Sequence, residues 1–293
     1  MDTLSLDMMK GLLPPRPDTG HKGTFGHVFI IGGSQGYMGA PVLAGMGAAR
    51  SGVGLVTVGM PESLNDLPSM GLWEAMTFAL PETKQHTISM AAIESTSEFA
   101  ASKDATVVGP GMSLHGKTRQ YILQFIEQCR APLLIDADGL NALSAGTDCI
   151  LKRTHDTVLT PHPGEMARIL HTSTEDVIER REECAKNIAK ELAVTVVLKG
   201  YQTIVAAPDG SCVENSTGNN GMGTAGSGDV LSGLIGGLMA QGLSGHDAAQ
   251  LGVFVHGLAG DIAADYYSQR GMIARDIVQC LPEAWHELES EQD

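Results

Sequence analysis

The sequence predicts an α/β protein with a mostly parallel central sheet and helices on both of its faces. Short runs rich in β-branched residues alternate with longer segments of helical periodicity along the chain. The strand-like runs are apolar at nearly every position, which is typical of strands buried on both faces. Such alternation places the connecting helices on the two faces of a parallel sheet.

The predicted strands are apolar runs bounded by turn residues: His27–Ile31, Val53–Val58, Ala105–Val108, Pro132–Ile135, Thr157–Thr160, Val194–Leu198 and Thr203–Ala206. The predicted helices show apolar spacings of three and four: Pro41–Arg50, Lys117–Arg130, Gly164–Leu170, Thr174–Leu192, Ser227–Gln241, His246–Tyr267 and Ile273–Leu288. A hairpin is predicted over Thr203–Glu214, because Pro208, Asp209 and Gly210 are typical turn residues. No linker or repeat interrupts this pattern, so we predict a single domain over residues 1–293.

The composition excludes several classes of protein. A formal net charge of −15 argues against nucleic-acid binding through a basic surface, and no apolar run is long enough to span a membrane. The five cysteines have no paired spacing, and the N-terminus has no secretory pattern. We therefore predict a cytoplasmic protein with reduced thiols. The 36 glycines cluster in loops between apolar runs, which favours close approach of ligands to the backbone.

The stretch from Asn215 to Gly242 predicts a phosphate site. A glycine-rich loop runs directly into a helix, so backbone N–H groups and the positive end of the helix dipole converge on one point. Asp229 lies at that junction, where a negative charge would repel phosphate. Its position is explained if it removes a proton from a hydroxyl that attacks a phosphoryl group. The alternative is that Asp229 only caps the helix.

Two other loops after predicted strands contain glycine patterns. The loop Gly32–Pro41 does not fit the spacing of a dinucleotide fingerprint, but its small residues admit a bulky ligand. Residues Gly111–Thr118 match the P-loop pattern G-x-x-x-x-G-K-T. Pro110 and the internal position of the strand argue against a P-loop, and we expect Lys117 and Thr118 to begin a surface helix.

Charged residues follow three further strands. Asp136, Asp138 and Asn141 form an Mg²⁺ site, held mostly through water, or else Asp138 and Asn141 are helix caps. Two prolines flank His162 and hold its backbone rigidly, which favours a ligand contact. Glu165, in the following helical turn, serves the helix dipole or a water-bound metal. Lys199 is either a phosphate or ribose ligand or a lysine that extends into solvent.

Six segments, in this order, resemble the signature blocks of ADP- or ATP-dependent NAD(P)H-hydrate dehydratases, a family of the ribokinase-like superfamily. They are KGTFGHVFIIGGSQGYMGAP, VVGPGM, PLLIDADGLNAL, LTPHPGEMARIL, VVLKGYQT and NNGMGTAGSGDVLSGLIGGLMAQG. The resemblance extends over nearly the whole chain, roughly from Gly11 to Leu288. Some family members carry an N-terminal epimerase domain, whereas this chain resembles the stand-alone form.

The resemblance implies a role for each matching residue. Asp229 corresponds to the catalytic base, beside an anion hole made by Gly226, Ser227 and Gly228. The nucleotide, ADP or ATP, would contact Gly228 and the segment formed by Lys199, Gly200, Tyr201, Gln202 and Thr203. The hydrated dinucleotide NAD(P)HX would contact Ala40, Gly111, His162 and Asp229. Mg²⁺ is expected near Asp136 and Glu165, through water.

The implied reaction is dehydration of the S epimer of NAD(P)HX to NAD(P)H, coupled to phosphoryl transfer from ADP or ATP. The resemblance also implies a homo-oligomer, commonly a tetramer, for which the glycine-spaced C-terminal helices offer an interface. Two alternatives are a kinase of a sugar or vitamin-like alcohol from the same superfamily, and a non-catalytic nucleotide sensor. The phosphate cradle fits a kinase equally well, whereas Asp229 argues against a sensor.

Overall fold

The computed structural model describes residues 1–66 and 71–290, and the strands in these ranges form one ten-stranded sheet. In chain order they are β1 Asp2–Thr3, β2 His27–Ile31, β3 Leu55–Pro61, β4 Met76–Leu80, β5 Ala105–Val108, β6 Leu133–Ile135, β7 Thr157–Leu159, β8 Thr195–Leu198, β9 Thr203–Ala206 and β10 Cys212–Asn215. Their spatial order is β1-β10-β9-β8-β7-β6-β5-β2-β3-β4. Strand β9 is antiparallel to both of its neighbours, and the other pairings are parallel. The predicted mostly parallel sheet and the β9–β10 hairpin are therefore confirmed.

The helices cover both faces of this sheet. In the described ranges they are α1 Leu6–Lys10, α2 Gly39–Ala49, α3 Ile93–Ala100, α4 Gly116–Gln128, α5 Asp138–Leu143, α6 Asp148–Leu151, α7 Pro163–Leu170, α8 Thr174–Glu179, α9 Arg181–Leu192, α10 Ser227–Ala240, α11 Gly245–Gly271 and α12 Ala274–Glu289. Alternate residues of β2 enter two separate cores. Val28 and Ile30 pack with α2, α10, α11 and α12, whereas Phe29 and Ile31 pack with α3, α4, α5, α7 and α9.

Some of the predicted elements differ from the structure. The single helix predicted over Thr174–Leu192 is two helices, because the backbone of Arg180 leaves the helical region with φ −123° and ψ 39°. Strand β4, helix α3 and helix α5 were not predicted. Among the described strands, β4 pairs only with β3, and most of its side chains are exposed although four of its five residues are apolar.

Helices α2 and α10 cross closely because glycines remove the side chains between them. A Cβ atom added at Gly233 would lie 1.8 Å from the carbonyl oxygen of Ala44, and one at Gly47 would lie 2.2 Å from that of Val230. Both helices begin at the edge of the sheet where the parallel strands end. Their close crossing therefore brings the glycine loop before α10 next to the loop that follows β2.

Three further expectations concern membrane spans, the cysteines and the glycines of α11. No helix in the two described ranges has the length and apolar character needed to cross a bilayer. The five cysteines are all free. The glycines of α11 pack within the chain, since added Cβ atoms would lie 2.5 Å from Ile235 at Gly252 and 2.1 Å from Thr217 at Gly257. The oligomer interface expected on the C-terminal helices stays a prediction.

Candidate active site

The loop before α10 has the geometry of an anion cradle. Gly226 adopts a left-handed conformation with φ +91°, and a Cβ atom there would lie 2.4 Å from Cδ1 of Leu43 on α2. Only glycine fits this turn without displacing α2. Among the described residues, no side chain caps α10. The N–H of Ser227 donates to the carbonyl oxygen of Thr224 at 3.4 Å, whereas the amides of Gly228 and Asp229 remain available to a ligand. Gly226, Ser227 and Gly228 therefore form the turn and helix start predicted from the sequence.

Residues that the sequence analysis did not assign fix the segment leading to this cradle. The side-chain Nδ2 of Asn219 donates to the carboxylate of Asp261 at 2.9 Å and to the carbonyl oxygen of Gly260 at 2.9 Å. Both acceptors are on α11. The side-chain oxygen of Asn219 in turn accepts from the N–H of Gly221. His256 is a buried residue of α11. Burial lowers its pKa to about 4, so its ring is neutral.

Asp229 lies in the first turn of α10, and its pKa is in the range expected of a general base. Burial is the largest cause that raises its pKa to about 7, and the negative charge of Asp136 adds to it, while Lys199 acts in the opposite direction. A carboxyl with a pKa near neutral combines a populated ionised form with a strong tendency to accept a proton. Simple capping is not its function, since no side chain in the described part of the chain caps α10.

Lys199, Asp136 and Glu165 form a buried charged cluster beside Asp229. The Nζ atom of Lys199 lies 2.9 Å from Oδ1 of Asp136 and 3.8 Å from Oε2 of Glu165. Burial alone would lower the pKa of Lys199, but the charges of Asp136 and Glu165 outweigh it and raise the pKa. Burial raises the pKa of Glu165 to about 7. A Cβ atom on Gly228 would lie 3.4 Å from Nζ, so the ammonium faces the cradle.

Asp136 and Asp138, the two acidic residues that follow β6, have different partners in the structure. Asp136 is a buried partner of Lys199 and accepts a hydrogen bond from Thr160 at 2.8 Å. Asp138 does not cap α5 as considered from the sequence; it accepts from the backbone N–H of Ser113 at 2.8 Å instead. Asn141 does not cap α5 either, and its amide donates to Asp138.

The cluster does not contain a complete set of metal ligands. Within residues 1–66 and 71–290, no group of three His, Cys, Asp or Glu side chains is arranged to hold a metal ion. Asp136 and Glu165 share a contact with the ammonium group of Lys199. This donor set fits an ion that arrives with the phosphates of a nucleotide and contacts the protein through water.

The ring of His162 has a defined tautomer because it caps α7. Its Nδ1 atom accepts from the backbone N–H groups of Gly164 at 3.0 Å and Glu165 at 3.3 Å, so the proton of the neutral ring lies on Nε2. The carboxylate of Glu165 accepts from the backbone N–H of His162 at 2.8 Å, which completes a reciprocal cap. Burial, followed by the charges of Lys199 and Arg168, lowers the pKa of His162. The side chain is half exposed, and its Nε2 atom lies 3.4 Å from Oε1 of Glu165.

Arg181, which was not predicted from the sequence, stabilises the turn between β8 and β9 through hydrogen bonds. The Arg181 guanidinium donates to the carbonyl oxygens of Tyr201, Gln202 and Leu198. Within this turn the ring of Tyr201 is 81% exposed. The turn contains Gly200 and Thr203, whereas Lys199 points away into the buried cluster. The break between α8 and α9 places Arg181 in the first turn of α9, a feature that helical periodicity does not reveal.

Ala40, in the first turn of α2, lies next to Gly111, in the loop after β5. A Cβ atom on Gly111 would lie 3.1 Å from that of Ala40 and 2.5 Å from the carbonyl oxygen of Tyr37. The hydroxyl of Ser34 donates to the carbonyl oxygen of Gly111 at 2.8 Å. These residues follow β2 and β5, and His162 follows β7, so all three lie at the edge of the sheet that carries Asp229. Parallel α/β sheets bind their ligands at this edge.

The P-loop interpretation of Gly111–Thr118 is wrong. The Thr118 hydroxyl is buried, 2.7 Å from Oγ1 of Thr87 and 2.9 Å from the carbonyl oxygen of Ile88. In a P-loop the same hydroxyl would hold Mg²⁺. The expectation that these residues begin a helix is confirmed, although Lys117 faces solvent and Thr118 does not.

A buried carboxyl at the start of a helix, beside an amide cradle without a side-chain cap, places the chain among α/β proteins whose helix start is suited to binding phosphate. A family model described as NAD(P)H-hydrate dehydratase matches residues 28–283. The bifunctional NAD(P)H-hydrate repair enzyme Nnr of Moorella thermoacetica is 43% identical over 95% of this chain and 53% of its own length. The ADP-dependent (S)-NAD(P)H-hydrate dehydratase of Neisseria meningitidis is 39% identical over 84% of this chain and 80% of its own.

Solved structures agree with the sequence relatives. The ADP/ATP-dependent NAD(P)H-hydrate dehydratase of Bacillus subtilis, co-crystallised with ATP and Mg²⁺, superposes with a TM-score of 0.85 at 31% identity over 98% of this chain and 99% of its own. A ribokinase-like superfamily protein of Enterococcus faecalis gives 0.83 at 26% identity, over 98% and 96% of the two chains. The chain belongs to the NAD(P)H-hydrate dehydratase family, and its fold is ribokinase-like. It spans about half the length of the bifunctional relatives that it matches.

Proposed function

We propose that the protein catalyses the ADP- or ATP-dependent dehydration of the S epimer of NAD(P)HX to NAD(P)H. The observation that carries this proposal is the position of Asp229, a carboxyl with a pKa of about 7 beside an uncapped amide cradle. The names of the relatives supply the substrate, since phosphoryl chemistry alone does not define it. The cradle supports a phosphorylated intermediate rather than direct loss of hydroxide, which is a poor leaving group.

Asp229 starts the reaction by removing the proton of the ring hydroxyl. The hydroxyl oxygen then bonds to the terminal phosphorus of ADP or ATP, and the bond from that phosphorus to the bridging oxygen breaks. The amides of Gly226–Asp229 receive the charge that develops on the transferred group. In the second step the ring carbon–oxygen bond breaks, and inorganic phosphate leaves. Loss of a proton from the adjacent ring carbon restores the double bond of NAD(P)H.

Lys199 maintains the charge balance of this site. Its ammonium lies between Asp136 and Glu165 and faces Gly228, so it offsets two carboxylates that would otherwise repel a nucleotide. We assign it to the phosphates, whereas the turn from Gly200 to Thr203 receives the rest of the nucleotide. The exposed ring of Tyr201 offers a stacking surface for the base.

The hydrated ring is assigned to the pocket between Ala40, Gly111 and His162. The close approach of the first two residues leaves a flat backbone surface without large side chains. The Nε2–H group of neutral His162 donates to a substrate oxygen and orients the ring. Mg²⁺, held through water by Asp136 and Glu165, would neutralise phosphate charge when bound.

We also propose a homotetramer and a cytoplasmic location. Tyr266 and Tyr267, near the end of α11, are exposed aromatic residues of the kind that interfaces bury. Light scattering on the purified protein tests the tetramer directly. Five free cysteines are consistent with a reducing compartment.

The test of the proposed function uses purified protein, Mg²⁺ and chemically hydrated NADH, with ADP and ATP supplied separately. A nucleotide-dependent rise in the absorbance of reduced nicotinamide, with release of inorganic phosphate, is expected. Binding of nucleotide without any rise would contradict the proposal. A phosphorylated product that accumulates from a small alcohol would instead support the kinase.

A further inference from the structure

A cleft of about 690 Å³ opens next to the proposed substrate pocket and has no part in the mechanism described above. One wall is the loop after β4, including Glu82, Lys84 and Ser89, and the other is the start of α4, including His115 and Lys117. Its volume is within the range of roughly 300–1,000 Å³ that small-molecule sites occupy.

Both walls of the cleft are connected to the loops of the substrate pocket. His115 lies four positions after Gly111, on the same loop. The backbone N–H of Gln35, in the loop that leads to Ala40, donates to the carbonyl oxygen of His86 at 3.2 Å. The cleft therefore begins one loop away from the position assigned to the hydrated ring.

The cleft presents positive charge on a strongly acidic protein. Lys84 and Lys117 are both exposed in its walls, while the whole chain has a formal net charge of −15. The acid in the wall, Glu82, is already engaged, because its carboxylate accepts from the Ser63 hydroxyl at 2.6 Å and contacts His86 Nδ1 at 2.7 Å.

His115 adds an unused polar atom to the lysines. Among the described residues, its Nδ1 is one of the buried side-chain atoms that lack a hydrogen-bond partner. A buried nitrogen without a partner costs free energy unless a ligand or water satisfies it. The two exposed ammonium groups, rather than this solvent-closed nitrogen, suit a ligand that carries phosphate groups.

We infer that this cleft receives the phosphate-bearing adenosine half of the dinucleotide substrate, with Lys84 and Lys117 against its phosphate groups. This inference rests on the proposed function and extends it. A dinucleotide whose hydrated ring reaches Asp229 must lay its other half on a neighbouring surface, and this cleft adjoins both loops of the ring pocket. The cleft also gives a role to the segment after β4, to which the sequence alone assigned none.

The test is the Lys84→Ala/Lys117→Ala double variant, assayed with hydrated NADH and hydrated NADPH at saturating ADP. Both lysines are exposed, so the variant is expected to fold normally. We expect the KM for a hydrated dinucleotide to rise roughly tenfold with kcat unchanged, which corresponds to two exposed charge contacts near the upper end of their usual strength. The KM for ADP is expected to stay the same.

The pattern of the KM increase identifies which phosphate group the two lysines contact. A rise confined to hydrated NADPH assigns the lysines to its 2′-phosphate, and an equal rise for both substrates assigns them to the shared diphosphate. The Lys84→Arg/Lys117→Arg variant should restore most of the affinity. Lys22→Ala, at an exposed lysine near the opposite edge of the sheet, is the control.

Unchanged KM values for both hydrates in the double variant would overturn the inference while the proposed function stands. A wild-type protein that fails to dehydrate either substrate would instead overturn the proposed function. In that case, binding of NADPH to the wild type and to the double variant still tests the cleft, and equal affinities would contradict it.

Discussion

The Nζ atom of Lys199 lies 2.9 Å from Oδ1 of Asp136, and this contact joins side chains that are 63 positions apart in the sequence. The two residues follow β8 and β6, which are separated in the sheet only by β7. Side-chain exposure is 18% for the lysine and 2% for the aspartate, so the pair is largely shielded from water. The pair therefore links the stability of the sheet edge to the charge of the site.

Lys199→Met is expected to lower the free energy of unfolding by about 3 kcal/mol, because it leaves the buried carboxylate of Asp136 without its partner. The same substitution should raise the apparent pKa of Asp229, since Lys199 holds that pKa down. Urea denaturation measures the first effect. The Lys199→Met/Asp136→Asn double variant should recover most of the lost stability, and a double variant less stable than the single one would contradict the assignment.

The pH dependence of kcat/KM should show a rising limb with an apparent pKa of about 7. A base works in its ionised form, and the folded protein raises the pKa of Asp229, so activity is present above that pH and is lost below it. Asp229 and Glu165 interact, so the apparent value belongs to the cluster.

Glu165→Gln should move this limb to lower pH, because it removes a negative charge that raises the pKa of Asp229. Glutamine can still accept the backbone N–H of His162, so the helix cap is retained. A rising limb near pH 4 in the wild type, the ordinary range of an aspartate, would be inconsistent with a buried base.

Two substitutions at His162 should separate its capping role from its substrate contact. His162→Asn keeps an acceptor for the amides of α7 but loses the Nε2–H group, so the KM for NAD(P)HX should rise without loss of stability. His162→Ala loses both, and should also lower the free energy of unfolding by about 1 kcal/mol. Thermal melts and steady-state kinetics distinguish the two. Equal KM values for His162→Asn and the wild type would remove His162 from the site.

Gly233→Ala should destabilise the protein by about 1–3 kcal/mol, because the new methyl group collides with the backbone of α2. The matched control is Gly116→Ala, at the start of α4, where an added Cβ has nothing within 4 Å. The control should change the free energy of unfolding by no more than about 0.5 kcal/mol. Equal melting temperatures for the two variants would show that α2 and α10 do not depend on the glycine contact.

The strands buried on both faces were the most predictable elements. The bounds of β2, β5 and β9 match the sequence predictions residue for residue, because continuous β-branched runs between turn residues leave little ambiguity. The five-residue edge strand β4 and the six-residue helix α5 are too short for a clear periodic signal.

The candidate site was predictable only where its residues are adjacent in the sequence. The glycine cradle and Asp229 form one continuous motif, and two prolines mark His162. The pairing of Lys199 with Asp136 depends on the spatial order of β6, β7 and β8, which the sequence does not specify. The contacts of Arg181 depend on a helix break at Arg180 that helical periodicity masks.

The most direct test of the central claim compares the wild type with Asp229→Asn in two assays. Calorimetry measures the affinity for ADP, and the absorbance of reduced nicotinamide follows turnover of hydrated NADH. If Asp229 is the base, the variant binds ADP at least as tightly, because a charge beside the phosphates is removed, and its kcat falls by roughly 10²–10⁴-fold. Turnover close to that of the wild type would show that another group takes the proton.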